Sequence, residues 1–210
     1  MFVRSPQKLP SACEFNPTHK TTFSFSKVKS YFLKHPCRFK TSELRPLCEL
    51  FKQLNDDIPR LYLPISKLTE FLFDTFKYGD LAVLERFLVT WSERNAISVI
   101  NFIKMLSLIS RGTFKEKCAY MFKFLDRNND ELISVPSDFT HAAWKPGVER
   151  TVKDSTEFLH KKINKEELNY KEFEALCKNN TWIVTTLFPI FPSSQVIQDF
   201  EEFLKNTQSQ

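Results

Sequence analysis

The chain has 210 residues, 42% of them hydrophobic, with 22 phenylalanines and a net charge of +5, a composition that supports a packed core and excludes a fibrous or wholly disordered chain. It has no run of 18 or more apolar residues, and the N-terminal MFVRSPQKLP lacks an apolar centre, so neither a membrane span nor a secretory signal is expected and a cytoplasmic location is the default. The five cysteines, Cys13, Cys37, Cys48, Cys118 and Cys177, are scattered without metal-ligand spacing and are read as reduced, mostly buried thiols.

The charge is uneven. Residues 1–40 hold eight lysines and arginines against the single acid Glu14, a net +7, whereas the rest of the chain nets −2. Pro6, Pro10, Pro17 and Pro36 argue against a regular element over most of this segment, leaving room for a short helix at about residues 26–33. Residues 1–40 are therefore expected to be a basic, largely irregular arm suited to an acidic partner surface. From residue 42 the pattern becomes helical. Leu47, Leu50, Phe51 and Leu54 share one face, followed by Leu68, Phe71, Leu72 and Phe76, then Leu81, Leu84, Phe87 and Leu88, then a segment from Val99 to Ile109. Only three glycines occur and no alternating pattern exceeds a few residues, so the expected class is all-α. Thr113 and Glu116 form a capping box that opens a helix through Leu125, and Pro146 and Gly147 close the next one.

A repeat underlies these helices. Leu63, Ile97, Ile133 and Leu168 each follow one amphipathic helix and precede another, at separations of 34, 36 and 35 residues. Four helix–loop–helix units with one central β-type residue apiece are what four EF-hands would leave behind, the central residues pairing across neighbouring loops. The expected organisation is an arm over 1–40, a first EF-hand-like pair over 41–111, a second over 112–180, and an apolar C-terminal segment and helix over 181–210. In that last segment Trp182, Ile183, Leu187, Phe188, Ile190 and Phe191 precede a helix bearing Val196, Phe200, Phe203 and Leu204, which fills either the body's own groove or a partner's.

An EF-hand loop needs oxygens at positions 1, 3, 5 and 9, a carbonyl at 7, a glycine at 6 and a bidentate glutamate at 12. The first loop begins at Asp56 but has Ile58, Arg60 and Lys67 at positions 3, 5 and 12. The second has Thr90, Ser92, Arg94 and Asn101 at positions 1, 3, 5 and 12, and the fourth begins at Lys161 with Ile163 and Lys165. A cation cannot replace its water shell with such groups, so these three loops are not expected to bind metal. Glu172, at position 12 of the fourth loop, is better read as the partner of an Asn169 helix cap.

The third loop keeps more of the chemistry. Asp126, Asn128, Asp130 and Ser134 supply oxygens and Leu132 the carbonyl, while Glu131 replaces the glycine and Ser137 the glutamate. Phe139 lies six residues after its anchor where five is the spacing elsewhere, which implies an inserted residue near Pro136 and moves Asp138 into the closing position. The preferred reading is a polar turn whose side chains bond local amides, so that no cofactor is expected. The alternative is weak Ca2+ or Mg2+ held by Asp126, Asn128, Asp130, Leu132, Ser134 and Asp138. The four histidines are isolated and no glycine-rich phosphate loop exists, so no catalytic residue is assigned and an enzyme is not expected.

The run FIKMLSLISRGTFKEKCAYMFKFLDRNNDELIS, residues 102–134, is similar to the neuronal calcium sensor and calcineurin B-like families, in which an apolar helix leads through an RGT or RGS turn and an EK pair into the third loop. Together with the C-terminal TLFPIFPSSQVIQDFEEF, it most resembles an EF-hand protein of motile cilia, over about residues 42–205. The resemblance implies a non-enzymatic adaptor of cilium or sperm flagellum, associated with outer dynein arm docking on doublet microtubules. Its implied partners are docking-complex coiled coils and an armadillo-type protein; the basic arm of residues 1–40 has no counterpart in this resemblance and is expected to lie on an acidic tubulin or coiled-coil surface, and neither nucleic acid nor membrane is expected as a partner. The degenerate loops imply a calcium response that is weak or absent. The alternative reading is a calcium-dependent regulatory subunit of a phosphatase, kinase or channel.

Overall fold

The computed structural model describes residues 22–58, 60–78, 81–126, 128–134, 167–180 and 191–208. Within them the chain is mostly helical, and strand is confined to two antiparallel pairs of three-residue segments. The arm before residue 22, the exit of the third loop and the apolar run from Trp182 to Ile190 lie outside the described residues, as do Pro136, Ser137, Asp138, Phe139, Pro146 and Gly147.

The segment expected to be an irregular arm is, from residue 22 onward, part of the body. Helix α1 spans Phe25–Lys34 and buries Val28 and Phe32, four residues apart on one face, and Phe39 beyond it is also buried. The expected short helix is present; the sequence reading missed the apolar stripe that makes it core. The helix ends at His35, before Pro36, whose ring disfavours a helical residue ahead of it.

A single 3-10 turn, Thr41–Glu43, then leads into α2, Leu44–Gln53. Pro46 is the third residue of α2, where no intrahelical donor is required, and it is buried with Leu44, Leu47, Cys48, Leu50 and Phe51. Strand β1, Tyr62–Pro64, runs directly into α3, Ile65–Phe76; helix α4, Leu81–Val89, is followed by β2, Ala96–Ser98, and α5, Val99–Arg111. Strands β1 and β2 pair antiparallel with Leu63 opposite Ile97. The second half repeats the arrangement as far as it is described. Helix α6, Phe114–Leu125, precedes β3, Leu132–Ser134, which pairs with β4, Glu167–Asn169, so that Ile133 faces Leu168. Helix α7, Tyr170–Asn179, follows β4.

The four anchors are 0%, 0%, 0% and 3% exposed, so each bridge is pinned by its apolar side chain as well as by backbone bonds. Full burial of such a side chain contributes roughly 2 kcal/mol, enough to hold two loops in register without any ligand between them. Around the first bridge Phe102 packs on Phe51 at 5.3 Å and on Phe71 at 6.4 Å between ring centroids. Beside the second, Phe122 packs on Phe173 at 5.8 Å and on Tyr170 at 5.6 Å. The buried thiols of Cys118 and Cys177, four residues from Phe122 and Phe173, lie beside each other; the neighbouring Cys118 together with burial pushes the Cys177 thiol up. The described cysteines are all reduced, and Cys48, Cys118 and Cys177 are buried.

The two halves join at Ser110-Arg111-Gly112-Thr113. Ser110 Oγ donates to the Leu106 carbonyl, and the Gly112 amide donates to the Leu108 carbonyl at 3.1 Å, ending α5. Thr113 then caps α6: its Oγ1 accepts from the Glu116 amide at 3.2 Å while Glu116 Oε2 accepts from the Thr113 amide at 2.7 Å, completing the expected capping box. Glu116 also accepts from Arg38 at 2.9 Å, and that guanidinium, with the Thr113 donors, holds its carboxyl down to about 2. The glycine is required by space rather than by its dihedrals, because a Cβ on Gly112 would lie 2.4 Å from the Leu108 carbonyl oxygen. Gly112→Ala is expected to lower stability by about 1–3 kcal/mol in urea unfolding, the range for a forced backbone shift. A change within a few tenths would show that the junction absorbs a side chain freely.

Candidate functional site

Each loop can be followed from its first oxygen to whatever now sits where a cation would. In the first loop, Lys67 Nζ lies 2.6 Å from Asp56 Oδ2, so the residue at closing position 12 meets the residue at position 1 directly. This ammonium hydrogen bond holds the Asp56 carboxyl below the usual carboxylate range. In the second loop the closure is neutral. Asn101 Nδ2 donates to the Trp91 carbonyl at 3.1 Å, Ser92 Oγ to the Val89 carbonyl at 3.0 Å, and Thr90 Oγ1 to the Phe87 carbonyl at 2.7 Å. Thr90 also bonds the Tyr120 hydroxyl, and Tyr120 stacks on Trp91 at 5.6 Å, so the polar groups of this loop are tied to α6. Both closures were missed in the sequence, although an aspartate at position 1 with a lysine at position 12 is a readable signal for the first. In the fourth loop, Asn169 and Glu172 exchange amide bonds at 3.1 Å each and form the expected cap.

The third loop gathers Asp126, Asn128, Asp130, Leu132 and Ser134 between α6 and β3, whereas Asp138 lies outside the described residues. Asp126 is nearly buried and accepts from two backbone amides, that of Asp130 at 3.2 Å through Oδ1 and that of Glu131 at 3.1 Å through Oδ2. Asp130 Oδ1 accepts from the Leu132 amide at 2.9 Å, and its Oδ2 accepts from Asn128 Nδ2 at 2.6 Å. The loop is thus folded by its own side-chain-to-backbone bonds, as in an Asx turn. A carboxylate has about four acceptor sites, so Asp126 and Asp130 retain capacity, but Asn128 presents a donor to Asp130. Among the described residues no three His, Cys, Asp or Glu side chains converge as metal ligands.

The backbone nevertheless keeps the shape of a cation loop. At position 6, where glycine supplies a positive φ, Asn95 of the second loop has φ 63° and Glu131 of the third has φ 64°. Asparagine tolerates this region, while glutamate is strained there by roughly 1–2 kcal/mol.

The C-terminal helix α8, Ser194–Gln208, docks on the body's own groove, against α2 and α3. Phe200 and Leu204 are buried, and Phe200 packs on Phe76 at 5.1 Å; Phe203, expected on the same face, is turned to the rim and half exposed. The seat is fixed by Arg111 at the end of α5. Its guanidinium donates to Glu201 Oε1 at 2.6 Å and bonds Oε2, donates to both oxygens of Glu43 at 2.7 and 2.8 Å and to the Arg38 carbonyl at 3.1 Å, and lies over the Phe39 ring at 4.5 Å. Arg111 holds the Glu43 carboxyl below its ordinary range, and the two carboxylates push the guanidinium up. Neither Arg111 nor Glu201 was singled out in the sequence, since nothing local couples residues 90 apart.

Glu131→Gly tests the strain in the third loop. The substitution removes the side-chain clash of the left-handed region and adds some unfolded-state entropy, so a net gain of about 0.5–1 kcal/mol in urea unfolding is expected. A loss of stability would mean that position 6 is not strained.

No family model matches the chain. It is similar to calaxin of Homo sapiens, 25% identical over 191 residues that cover 83% of this chain and 90% of the relative. Calaxin of Bos taurus is 24% identical over 83% of this chain and 91% of the relative, and calaxin of Xenopus laevis is 27% identical over 82% and 89%. The likeness spans both bridged halves and the motif that joins them, and on that ground the chain is a divergent calaxin-like EF-hand protein.

Proposed function

We propose that this chain is a non-enzymatic, structural EF-hand adaptor of motile cilia or sperm flagella, associated with outer dynein arm docking on doublet microtubules. The observation that bears most weight is the similarity to calaxins along more than four fifths of the chain. On this reading the chain has four EF-hand-like repeats in two pairs. The Leu63–Ile97 and Ile133–Leu168 bridges support that arrangement, since each ties two loops at the same central position.

Loss of calcium dependence is supported by the contacts inside the first two loops. A lysine in one and an asparagine amide in the other occupy the closing position, and both are donors. A donor there repels or fails to coordinate a cation, while the paired backbone keeps the helices in place. The role left to the protein is to present fixed surfaces. Partners on this reading are docking-complex coiled coils and an armadillo-type protein, with the basic residues before residue 22, Arg4, Lys8 and Lys20, directed at acidic tubulin. No helix among the described residues is long and apolar enough to cross a membrane.

Affinity purification of the full chain from ciliated tissue, scored for docking-complex proteins and tubulin, is expected to recover both. Recovery of a phosphatase catalytic subunit in their place would overturn the assignment in favour of a regulatory subunit. Calorimetric titration of the purified chain at near-physiological salt is expected to give no calcium binding at micromolar affinity, and Asp126→Ala with Asp138→Ala, which removes the acceptor of the Asp130 and Glu131 amides, is expected to lower the melting temperature by the same amount with and without calcium. A micromolar isotherm abolished by those substitutions would contradict the structural role.

A further inference from the structure

Helices α3 and α4 leave an open cleft of about 630 Å³ between their outward faces. It is separate from the groove taken by α8, which engages α3 through Phe76. On α4, Leu81, Glu85 and Val89 follow one another at four-residue intervals, forming a stripe along the outer edge of the face that buries Leu84 and Leu88, with the buried Phe87 on the far side. On α3, Glu70, Phe73 and Asp74 occupy the facing side of the cleft. The apolar members are Phe73, 39% exposed, Leu81, 48%, and Val89, 61%, an unusual concentration of uncovered large side chains on two adjacent helices.

Charge identifies what would cover them. Glu70, Asp74 and Glu85 border the cleft, and none of the three belongs to an ion pair among the described residues. The basic residues of the same two helices are turned elsewhere: Lys67 pairs with Asp56, and the Arg86 guanidinium lies over the Phe124 ring at 5.4 Å. Glu70 and Asp74 are like charges at i, i+4, which is unfavourable in an isolated helix. An acidic, apolar cleft on a chain of net charge +5 is thus a local inversion of the protein's field.

We infer that the α3–α4 cleft is a docking site for a basic amphipathic helix of another protein. Two apolar side chains one turn apart would lie on Phe73, Leu81 and Val89, and lysines or arginines flanking them would meet Glu70, Asp74 and Glu85. The stripe from Leu81 to Val89 is about 12 Å long at 1.5 Å per residue, so two to three helical turns suffice. This inference is independent of the ciliary assignment, because it rests on the cleft alone.

The test uses the full chain and a fluorescein-labelled synthetic 14-residue peptide of leucine and lysine, with leucines at i, i+4 and i+7, read by anisotropy at about 0.15 M salt. The expected result is saturable binding at micromolar concentration, weakened at least tenfold by Glu70→Lys with Asp74→Lys and likewise by Phe73→Ser. All three positions are solvent-facing, and circular dichroism of the charge-reversed protein checks that the fold is kept. A peptide with glutamate in place of lysine is expected not to bind. Equal affinity for the wild type and the charge-reversed protein would overturn the inference. So would equal affinity for a scrambled leucine-lysine peptide, which would mean attraction without a helical footprint, or a dimer of the chain that Phe73→Ser dissolves, which would mean that a second copy covers the cleft.

Discussion

The architecture depends on the guanidinium of Arg111. It sits where α5 ends, grips Glu43 at the start of α2 and Glu201 on α8, caps the Arg38 carbonyl and covers Phe39. Five donors in a planar fork let one side chain join three distant stretches; a lysine could not meet two carboxylates bidentately. The site is partly buried, so removing the guanidinium would leave two carboxylates facing each other with reduced solvation. Loss of one partner from such a buried pair costs on the order of 3 kcal/mol. The residues after it are equally constrained, Gly112 by its approach to the Leu108 carbonyl and Thr113 by its cap on α6. The SRGT segment thus stops one helix, starts the next and seats the C-terminal helix.

The loops show the same principle on a smaller scale. A cation loop needs its first and last positions drawn together, and any group that bonds both ends serves the backbone equally well. Lys67 closes the first loop on Asp56 and Asn101 closes the second on the Trp91 carbonyl, while in the third Asp126 holds the entering half of the loop through the amides of Asp130 and Glu131. The apolar anchors then fix the register between loops, since their burial does not depend on what the oxygens bind. That division explains how ligand residues can change while the helix pairs persist.

Much of this was legible from residues near one another in the chain. The helical faces, the Thr113 and Asn169 caps and the four bridge anchors each follow from a spacing of two to four residues or from a repeat of about 35. What was not legible involves partners far apart. Arg111 reads as a helix-ending base until Glu43 and Glu201 are placed beside it, 68 and 90 residues away. The basic character of residues 1–40 masked the apolar stripe of Val28 and Phe32, because charge and proline content describe the average of a segment and burial depends on single faces. Lys67 was counted as a repelling charge because its distance from Asp56 is set by the loop's curvature and not by its sequence.

The central claim, that Arg111 holds the C-terminal helix on the first helix pair, is most directly tested by hydrogen exchange of the wild type and Arg111→Met, read by mass spectrometry. The account predicts that amides of α8 exchange at least tenfold faster in the variant while those in the middle of α5 keep their protection. Unchanged protection of α8 would show that Phe200 and Leu204 suffice to seat it and would contradict the account.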